Sequence, residues 1–497
     1  MMNAKPHLLR NLVCIAAVTG VLAACDPEFD NPVDDVSSLS AGTVDFSRFV
    51  ALGDSLTAGF ADGTLYTHSQ TNSFPAILAG QFASVGGGAF TQPLMSDNNG
   101  GLLLSGNPLP GFGTRLVLTG SPLAPAPLSA ASTTEVSNVL TGPFNNMGVP
   151  GAKSFHLGAD GYGNIAGLLT MPATANPYFV RFAGAPTNSM LTDTLAQAPT
   201  FFILWIGNND TLSYATAGGT GVDQLGNLDP STYGASDLTD PTAFAGVYSG
   251  LVTALTAGGA KGIVINLPDV TSIPYFTTVP FNAIPMDAAT AAATNAAYAT
   301  YNGGLAVSGL PAAEIAQRTI NFTAGQNAVV IEDDSLTDLS GGGLPSIRQA
   351  TARDFVLLPS SSKIGTEATP GDPTTVWGVG TALTDGDVLS EAEAALTATA
   401  NAAFNTTIAG VAAANPDVAL FDAASELARL ASEGINYGSG TITTTFATGG
   451  GFSLDGVHPT ARGYAVVANL IMDTIESSFG AKLRRVDPGT YTTTFVQ

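Results

Sequence analysis

Early in the chain the residues read Phe49-Val50-Ala51-Leu52-Gly53-Asp54-Ser55-Leu56-Thr57-Ala58-Gly59. The apolar run before Gly53 is typical of a buried strand, and the Asp54-Ser55 pair is typical of a helix N-cap. A strand that leads a serine into a helix places the hydroxyl at the carboxyl end of the sheet, where ligands bind in open α/β folds. Backbone amides at a helix N-terminus also favour developing negative charge. The segment therefore predicts an α/β fold with Ser55 at a binding edge.

Three further apolar runs are predicted as strands, at residues 200–206, 260–266 and 417–421. The intervening sequence predicts helices at 241–257, from Ser390 to the residue before Asn415-Pro416, and at 460–479. Ser390 is followed three residues later by Glu393, which is the pattern of a capping box. Strands that alternate with helices predict a parallel sheet covered on both faces.

The chain of 497 residues is long for one domain. Its two chemically informative segments lie near opposite ends and must meet in one core, so the extra length is interpreted as insertions into a single domain. Segments rich in Gly, Pro, Thr and Ser at 84–140, 170–199, 211–240 and 335–385 are expected to fold over the sheet edge or to form a lid. The Asp385-Gly386-Asp387 cluster lacks the spacing of a calcium loop and predicts a solvated turn.

The first 24 residues are predicted to be a signal peptide. Lys5 and Arg10 precede an apolar stretch at 12–24 that is too short to span a bilayer. It ends in Leu22-Ala23-Ala24-Cys25, which resembles the lipobox of bacterial lipoproteins, whose cysteine is acylated and becomes the first mature residue. The alternatives are ordinary secretion and a small buried cysteine. Because Cys14 leaves with the signal, no disulfide is expected.

Residues 25–46 are acidic at first, contain proline and then become rich in serine, so they are predicted to form a flexible tether. An acidic segment beside a lipid anchor also resembles the export signals of surface lipoproteins in some Gram-negative bacteria. The prediction is a cell-envelope lipoprotein, in the outer membrane or at the cell surface, attached to the membrane by lipid on Cys25. The formal net charge of −23 disfavours nucleic acid as a partner.

His458 is the strongest candidate for a general base. The chain contains four histidines, at positions 7, 68, 156 and 458, and only His458 has a carboxylate three residues upstream, in Asp455-Gly456-Val457-His458-Pro459. A carboxylate so placed can orient the imidazole through Nδ1. His68 and His156 stay open as alternative bases, although a substrate contact or a surface position suits each of them better.

Two segments could supply donors to a developing oxyanion. Gly207-Asn208-Asn209-Asp210 follows the second predicted strand, and an asparagine amide offers N–H without competing as a base. Asn145-Asn146-Met147-Gly148-Val149-Pro150-Gly151 contains a glycine whose backbone can approach a substrate closely. Taken alone, each segment can also be a turn, and for the Gly148 segment the turn is the favoured interpretation.

In this order the motifs resemble those of the GDSL or SGNH hydrolase superfamily. By that resemblance Ser55 is the nucleophile, His458 the base and Asp455 the acid of a D-x-x-H motif. Gly148 is the backbone donor and Asn209 the side-chain donor of the oxyanion hole, together with the N–H of Ser55. The resemblance implies a three-layer α/β/α flavodoxin-like sandwich with a parallel sheet and long insertions, over residues 47–485, followed by a tail at 486–497.

The resemblance also implies hydrolysis of an ester through an acyl-enzyme, with no metal or organic cofactor. The same mechanism follows from the residue types, because His458 can take the proton of Ser55 while backbone and amide donors hold the oxyanion. The leading hypothesis is a hydrolase of acyl or lipid esters. An acetyl esterase acting on extracellular polysaccharide would use the same residues, and a non-catalytic surface binding lipoprotein is the alternative from another class.

Overall fold

The computed structural model describes residues 38–497, and a parallel sheet of five strands lies at its centre. In chain order the strands are β1 (Phe49–Gly53), β2 (Asn146–Gly148), β3 (Phe201–Trp205), β4 (Lys261–Ile265) and β5 (Val418–Phe421). They lie in the order β2-β1-β3-β4-β5, and all neighbouring pairs are parallel. The four strands predicted from the sequence are confirmed to within about one residue at each end, the usual uncertainty of strand boundaries.

Strand β2 is not predicted by the sequence, whose pattern at this segment favours a turn. It pairs with β1 through Ala51–Asn146, Leu52–Met147 and Gly53–Gly148. A strand of three residues is too short to show the alternation or the apolar run by which strands are recognised. Its backbone is instead held by the edge of β1, a partner distant in sequence.

The α-helices of nine or more residues, with the short one after β1, are α1 (Ser55–Ala58), α2 (Phe74–Phe82), α3 (Asn208–Thr216), α4 (Pro241–Thr256), α5 (Ala288–Ala306), α6 (Glu391–Ala414), α7 (Ala423–Ser432) and α8 (Ala461–Phe479). The three predicted helices correspond to α4, α6 and α8. The capping box of α6 is also present, because Ser390 Oγ accepts from Glu393 N–H and Glu393 Oε2 accepts from Ser390 N–H. Shorter α-helices lie at Thr67–Thr71, Pro177–Val180, Met190–Leu195, Pro274–Thr277 and Ala312–Arg318.

Helices flank the sheet in two groups, as expected for strands that are buried on both faces. Helix α2 packs against α8, while α6 packs against both α3 and α4. All five residues of β1 and all five of β3 are buried, which explains why both strands read as continuous apolar runs. The protein is thus an α/β protein with a parallel sheet between helices, consistent with three layers.

The strand order creates a switch point between β1 and β3. The chain moves outward from β1 to β2 on one side and then returns to build β3, β4 and β5 on the other. This is the order of flavodoxin-like doubly wound sheets, in which ligands bind beyond the carboxyl ends of the strands at the point where the order reverses. Ser55 follows β1 and Asn209 follows β3, so both lie at this point.

The long segments between core elements are folded rather than extended. Within residues 279–388, between β4 and α6, two small hydrophobic clusters form that are separate from the main core. Backbone contact with the main domain includes the Tyr275 N–H, which donates to the Gly456 carbonyl at 2.9 Å. Two-stranded antiparallel pairs occur at Leu103–Leu104 with Asn107–Pro108, Leu116–Thr119 with Ala124–Pro127, Ile284–Met286 with Gly325–Asn327, Val330–Glu332 with Ile347–Gln349, Phe355–Val356 with Val388–Leu389, and Ile435–Asn436 with Thr441–Ile442.

The predicted tether is too long at its C-terminal end. Val44 and Phe46 are buried, and the Phe46 ring stacks on Phe82 with centroids 4.0 Å apart. The backbone of Ser40 also pairs with Lys482. The serine-rich composition of this segment predicts a tether, although two of its apolar side chains are part of the core. The segment from residue 38 onward therefore belongs to the domain.

The remaining N-terminal predictions concern residues outside the described part of the chain. The signal peptide, the acylated Cys25 and the start of the acidic tether all precede residue 38 and stay predictions. Within residues 38–497, none of the helices combines the length and the apolar character needed to cross a bilayer. At the other end, the tail at 486–497 packs back on the domain, where the Arg115 guanidinium lies 4.2 Å from the ring centre of Phe495.

Candidate active site

Ser55 is held at the junction of β1 and α1. Asp54 is the N-cap residue, and its Oδ1 accepts from the Leu56 N–H at 2.9 Å. The Phe60 N–H donates to the Ser55 carbonyl at 3.0 Å, which closes the chain around this short helix. Ser55 is nearly buried, with 7% of its surface exposed, so few conformations are open to it. The local sequence therefore delivers one hydroxyl to the carboxyl edge of the sheet.

The structure brings Ser55, His458 and Asp455 together in one chain of hydrogen bonds. His458 Nε2 lies 2.8 Å from Ser55 Oγ, and His458 Nδ1 lies 2.9 Å from Asp455 Oδ2. The Phe60 ring packs beside the imidazole, with centroids 4.6 Å apart. Since an ionised Asp455 accepts from Nδ1–H, the lone pair of Nε2 points to the serine hydroxyl.

Asp455 is bound by several donors besides the imidazole. Its Oδ1 accepts from the N–H groups of Val457 and His458, each at 2.9 Å, and from Ser453 Oγ at 3.0 Å. Its Oδ2 accepts from the Gly63 N–H at 2.9 Å. Burial alone would raise the pKa of Asp455, but the charge of His458 and these hydrogen bonds lower it to about 2. The carboxylate therefore keeps its charge throughout the physiological pH range.

A second carboxylate, Asp62, supports the loop that carries Asp455, and sequence reasoning missed it. Asp62 Oδ1 accepts from the Leu454 N–H at 3.0 Å, its Oδ2 accepts from Tyr66 Oη at 2.7 Å, and its own N–H donates to Ser453 Oγ at 2.9 Å. Burial raises the pKa of Asp62 to about 6. No local motif marks this residue, because Leu454 is 392 positions away along the chain.

The segment after β3 lies beside the Ser55 segment, as predicted. Asn208 Nδ2 donates to Asp54 Oδ2 at 2.9 Å, and Asn209 Nδ2 donates to the Ala152 carbonyl at 3.0 Å. Asp210 accepts from both the N–H and the Oγ of Ser154. These bonds join the loops that follow β1, β2 and β3. They leave the second hydrogen of the Asn209 amide available, since each NH₂ carries two donors.

Gly148 has a different environment from the one predicted for an oxyanion donor. Its N–H donates to Asn146 Oδ1 at 3.0 Å within β2. A side chain at this position would lie 2.2 Å from the Ala58 nitrogen, so the glycine permits β2 to pack closely on α1. The prediction placed the donor in the strand, because the strand itself had not been recognised.

Gly151 is the better-placed glycine. It follows β2 beyond the carboxyl edge of the sheet, is exposed and has a φ of +80°, a conformation that favours glycine. Its neighbour Ala152 accepts from Asn209 Nδ2 at 3.0 Å, so the segment that carries Gly151 is bonded to the other candidate donor. Among residues 38–497, neither the Gly151 N–H nor the Ser55 N–H donates to a protein acceptor. The motif contains two glycines, Gly148 and Gly151, and the presence of the second is the sequence signal for Gly151 as the alternative donor.

The two alternative histidines lie outside this arrangement. His68 Nε2 is 2.9 Å from Thr492 Oγ1, and its ring packs edge-on against Phe495. His156 Nδ1 accepts from the Lys153 N–H at 3.0 Å, and its ring stacks on Tyr162. Burial lowers the pKa of His156 to about 3, so it stays neutral at physiological pH. Both rings have structural contacts of their own, and of the three histidines within residues 38–497 only His458 bonds to Ser55.

The Asp385-Gly386-Asp387 segment is a short 3₁₀ turn, in agreement with the predicted turn. Asp387 is not simply solvated, because it accepts from Ser360 Oγ and Thr384 N–H and forms an ion pair with Lys363. Burial and the neighbouring acidic groups raise the pKa of Asp385 to about 6. In the part of the chain that the structure describes, His, Cys, Asp and Glu form no group suited to hold a metal ion.

Ser55 and His458 open onto a cavity of about 130 Å³ along the carboxyl ends of the strands. Trp205 at the end of β3 and Phe421 at the end of β5 line it, and helices α7 and α8 each contribute four residues to its wall. The lining is predominantly apolar. Chemically, the arrangement combines a hydroxyl bonded to an imidazole, a carboxylate that fixes the imidazole tautomer and an adjacent apolar cavity, which are the features that nucleophilic serine chemistry requires.

Comparison with protein-family models, with curated proteins and with solved structures found no match to this chain. The interpretation of the site therefore depends on its geometry and on the motifs present in the sequence. Both point to the same three side chains, Ser55, His458 and Asp455.

Proposed function

We propose that the protein is a serine ester hydrolase of the SGNH type, which acts through an acyl-enzyme. The observation that carries the proposal is the continuous hydrogen-bond chain from Ser55 Oγ through His458 to Asp455, with distances of 2.8 and 2.9 Å. Separations of this size let a proton move from the hydroxyl to the imidazole without rearrangement of the site. The strand order and the position of the site at the switch point between β1 and β3 support the same fold type.

In the proposed reaction, His458 Nε2 takes the Ser55 proton as Oγ attacks the carbonyl carbon of the ester. The tetrahedral intermediate collapses as His458 returns this proton to the leaving alcohol, and Ser55 keeps the acyl group. Water then attacks the acyl-enzyme with His458 again as the base, which releases the acid and regenerates the hydroxyl. Asp455 keeps the tautomer of His458 and stabilises the imidazolium that forms in both steps.

The proposed oxyanion hole consists of the Ser55 N–H, the free amide hydrogen of Asn209 and the Gly151 N–H. All three lie just beyond the carboxyl ends of adjacent strands β1, β3 and β2. Gly151 replaces Gly148 in this role, because the Gly148 N–H already has an acceptor in Asn146. Donors fixed before the reaction stabilise the charge that develops on the substrate oxygen.

The test of the function is hydrolysis of a simple ester by the purified protein. With p-nitrophenyl acetate we expect turnover at neutral pH and, with a fluorophosphonate probe, covalent labelling of Ser55 located by peptide mass spectrometry. The probe reports an activated serine, because unactivated hydroxyls do not react with it at comparable rates. Labelling at another residue, or an absence of both labelling and turnover, would contradict the proposal.

Asn209→Ala tests the oxyanion hole. Removal of one side-chain donor costs about 10²–10³ in kcat, and we expect this loss with little change in KM, since the donor acts on charge that develops only in the transition state. Asn327→Ala is a matched control, because Asn327 is also buried and its amide donates to the Thr323 carbonyl. A change in KM alone would make Asn209 a substrate-binding residue instead.

A further inference from the structure

Two helices each present one largely apolar face to the cavity beside Ser55. Ala423, Glu426, Leu427 and Leu430 of α7 line it, and so do Gly463, Val466, Val467 and Leu470 of α8. In each helix the spacing is i, i+3, i+4 and i+7, which places the four residues along one face. Helix α7 begins directly after β5, and α8 begins shortly after His458. Both faces therefore extend from the catalytic edge of the sheet.

An apolar hairpin forms another part of the cavity wall. Ile435 and Ile442 pair across the two short strands that follow α7, and both line the cavity together with Phe452. These three side chains are buried. The hairpin belongs to the segment between α7 and the Asp455 loop, so the same segment that delivers Asp455 and His458 also builds this wall.

Polar side chains are few on the cavity wall. They are Ser55, Asn208 and His458 at the catalytic end, Glu426 on α7, and Trp205, whose indole carries one N–H donor. Glu426 is paired with Arg429 of the same helix at 2.5 Å, so its charge has a partner. A bound sugar needs several hydrogen bonds within its site, and this wall offers too few donors and acceptors for its hydroxyls.

The lining residues of α8 set the length of the cavity wall along that helix. Along α8, Gly463 and Leu470 are seven positions apart, which corresponds to about 10 Å at 1.5 Å per residue. An extended alkyl chain of about eight carbons has about the length of these seven helical positions. An acyl group attached to Ser55 Oγ would enter at the catalytic end, where His458 lies, and its tail would run between the two helices.

We propose that the apolar cavity between α7 and α8 is the acyl-chain site, and that the substrates are esters of medium-chain fatty acids, of about eight carbons. This inference rests on the proposed ester hydrolysis and specifies its substrate class. Each methylene moved from water into such a site favours binding by about fourfold. Acetyl esters would leave the cavity unfilled and are poor substrates.

The experiment is a chain-length profile with p-nitrophenyl esters from acetate to palmitate. We expect kcat/KM to rise from acetate to a maximum near about eight carbons, with a total gain of at least about 100-fold at a few-fold per methylene. Acetate as the best substrate, or a flat profile, would overturn the acyl-site proposal while leaving ester hydrolysis intact. An absence of hydrolysis for every ester, acetate included, would instead contradict the proposed function.

Variants that fill or enlarge the cavity test where the acyl chain of the substrate binds. Leu427→Trp narrows the space between α7 and α8, and we expect the octanoate-to-acetate ratio of kcat/KM to fall by about 10- to 50-fold, as for the loss of two or three buried methylenes. Leu427→Ala enlarges the space and should move the maximum to longer chains, which also covers the case in which the tryptophan variant does not fold. Leu396→Trp on α6, at a position 41% exposed, is the control and should keep the wild-type profile. Wild-type profiles for both Leu427 variants would overturn the assignment.

Discussion

Replacement of Ser55 by alanine is expected to lower ester hydrolysis by about 10⁴- to 10⁶-fold, the usual cost of removing a catalytic serine. The reason is chemical, because alanine has no oxygen with which to form the acyl-enzyme. The fold should be retained, since the side-chain oxygen of Ser55 bonds only to His458 among the described residues. Turnover of p-nitrophenyl esters measures the loss of activity, and thermal unfolding measures the retention of the fold. Fluorophosphonate labelling of the variant should be absent, because the reacting oxygen is missing.

A matched control for this variant is Ser360→Ala. Ser360 is also buried, and its Oγ donates to Asp387 at 3.0 Å within the insertion, far along the chain from the site. We expect this variant to be somewhat less stable than the wild type. Its rate of ester hydrolysis should be unchanged. Hydrolysis by the Ser55 variant at the wild-type rate would end the serine-hydrolase interpretation, whatever the control does.

The second large effect is expected at the Asp455–His458 pair. His458→Ala removes the base and should cost about 10⁴- to 10⁶-fold in kcat, while Asp455→Asn should cost about 10⁴-fold. In Asp455→Asn the amide oxygen can still accept from the N–H groups of Val457 and His458. Its NH₂ group would then face the His458 ring, and Nδ1 would have to become an acceptor. The proton would move to Nε2, which could no longer receive the proton of Ser55.

The double variant distinguishes one functional unit from two independent residues. We expect the double variant to be scarcely slower than His458→Ala, because residues that act together have strongly non-additive effects. His68→Ala is the control, since His68 bonds to Thr492 and should be dispensable for turnover. Losses that multiply would mean that Asp455 and His458 act separately, and the base would have to be sought at another histidine.

The local predictions succeeded where the determining contacts lie within a few residues. The apolar runs of β1, β3, β4 and β5 and the capping box at Ser390 are such cases. The order of the motifs along the chain also selected Ser55, Asp455 and His458, which the structure places within hydrogen-bond distance of one another. Spacing alone identified the Asp455–His458 contact, since only three positions separate the two residues.

The errors fall where pairing or burial depends on distant residues. Strand β2 is too short to show a pattern, so the sequence predicts a free N–H for Gly148, whereas this N–H donates to Asn146. Val44 and Phe46 were assigned to a tether, because their burial requires α2 and other parts of the core. Asp62 was overlooked for the same reason, since its partner Leu454 lies at the other end of the chain.

The amino-acid sequence was thus sufficient for the α/β class, for most core strands and helices, and for the three side chains at the centre of the site. Hydrophobic periodicity, capping and short motifs act over a few residues, and they can be recognised without a fold. The apolar cavity, the choice between Gly148 and Gly151 and the support of the Asp455 loop by Gly63 and Asp62 were decided by tertiary structure. Each depends on the register of a strand or on side chains hundreds of positions apart, and their distances are set only when the sheet and its helices pack together.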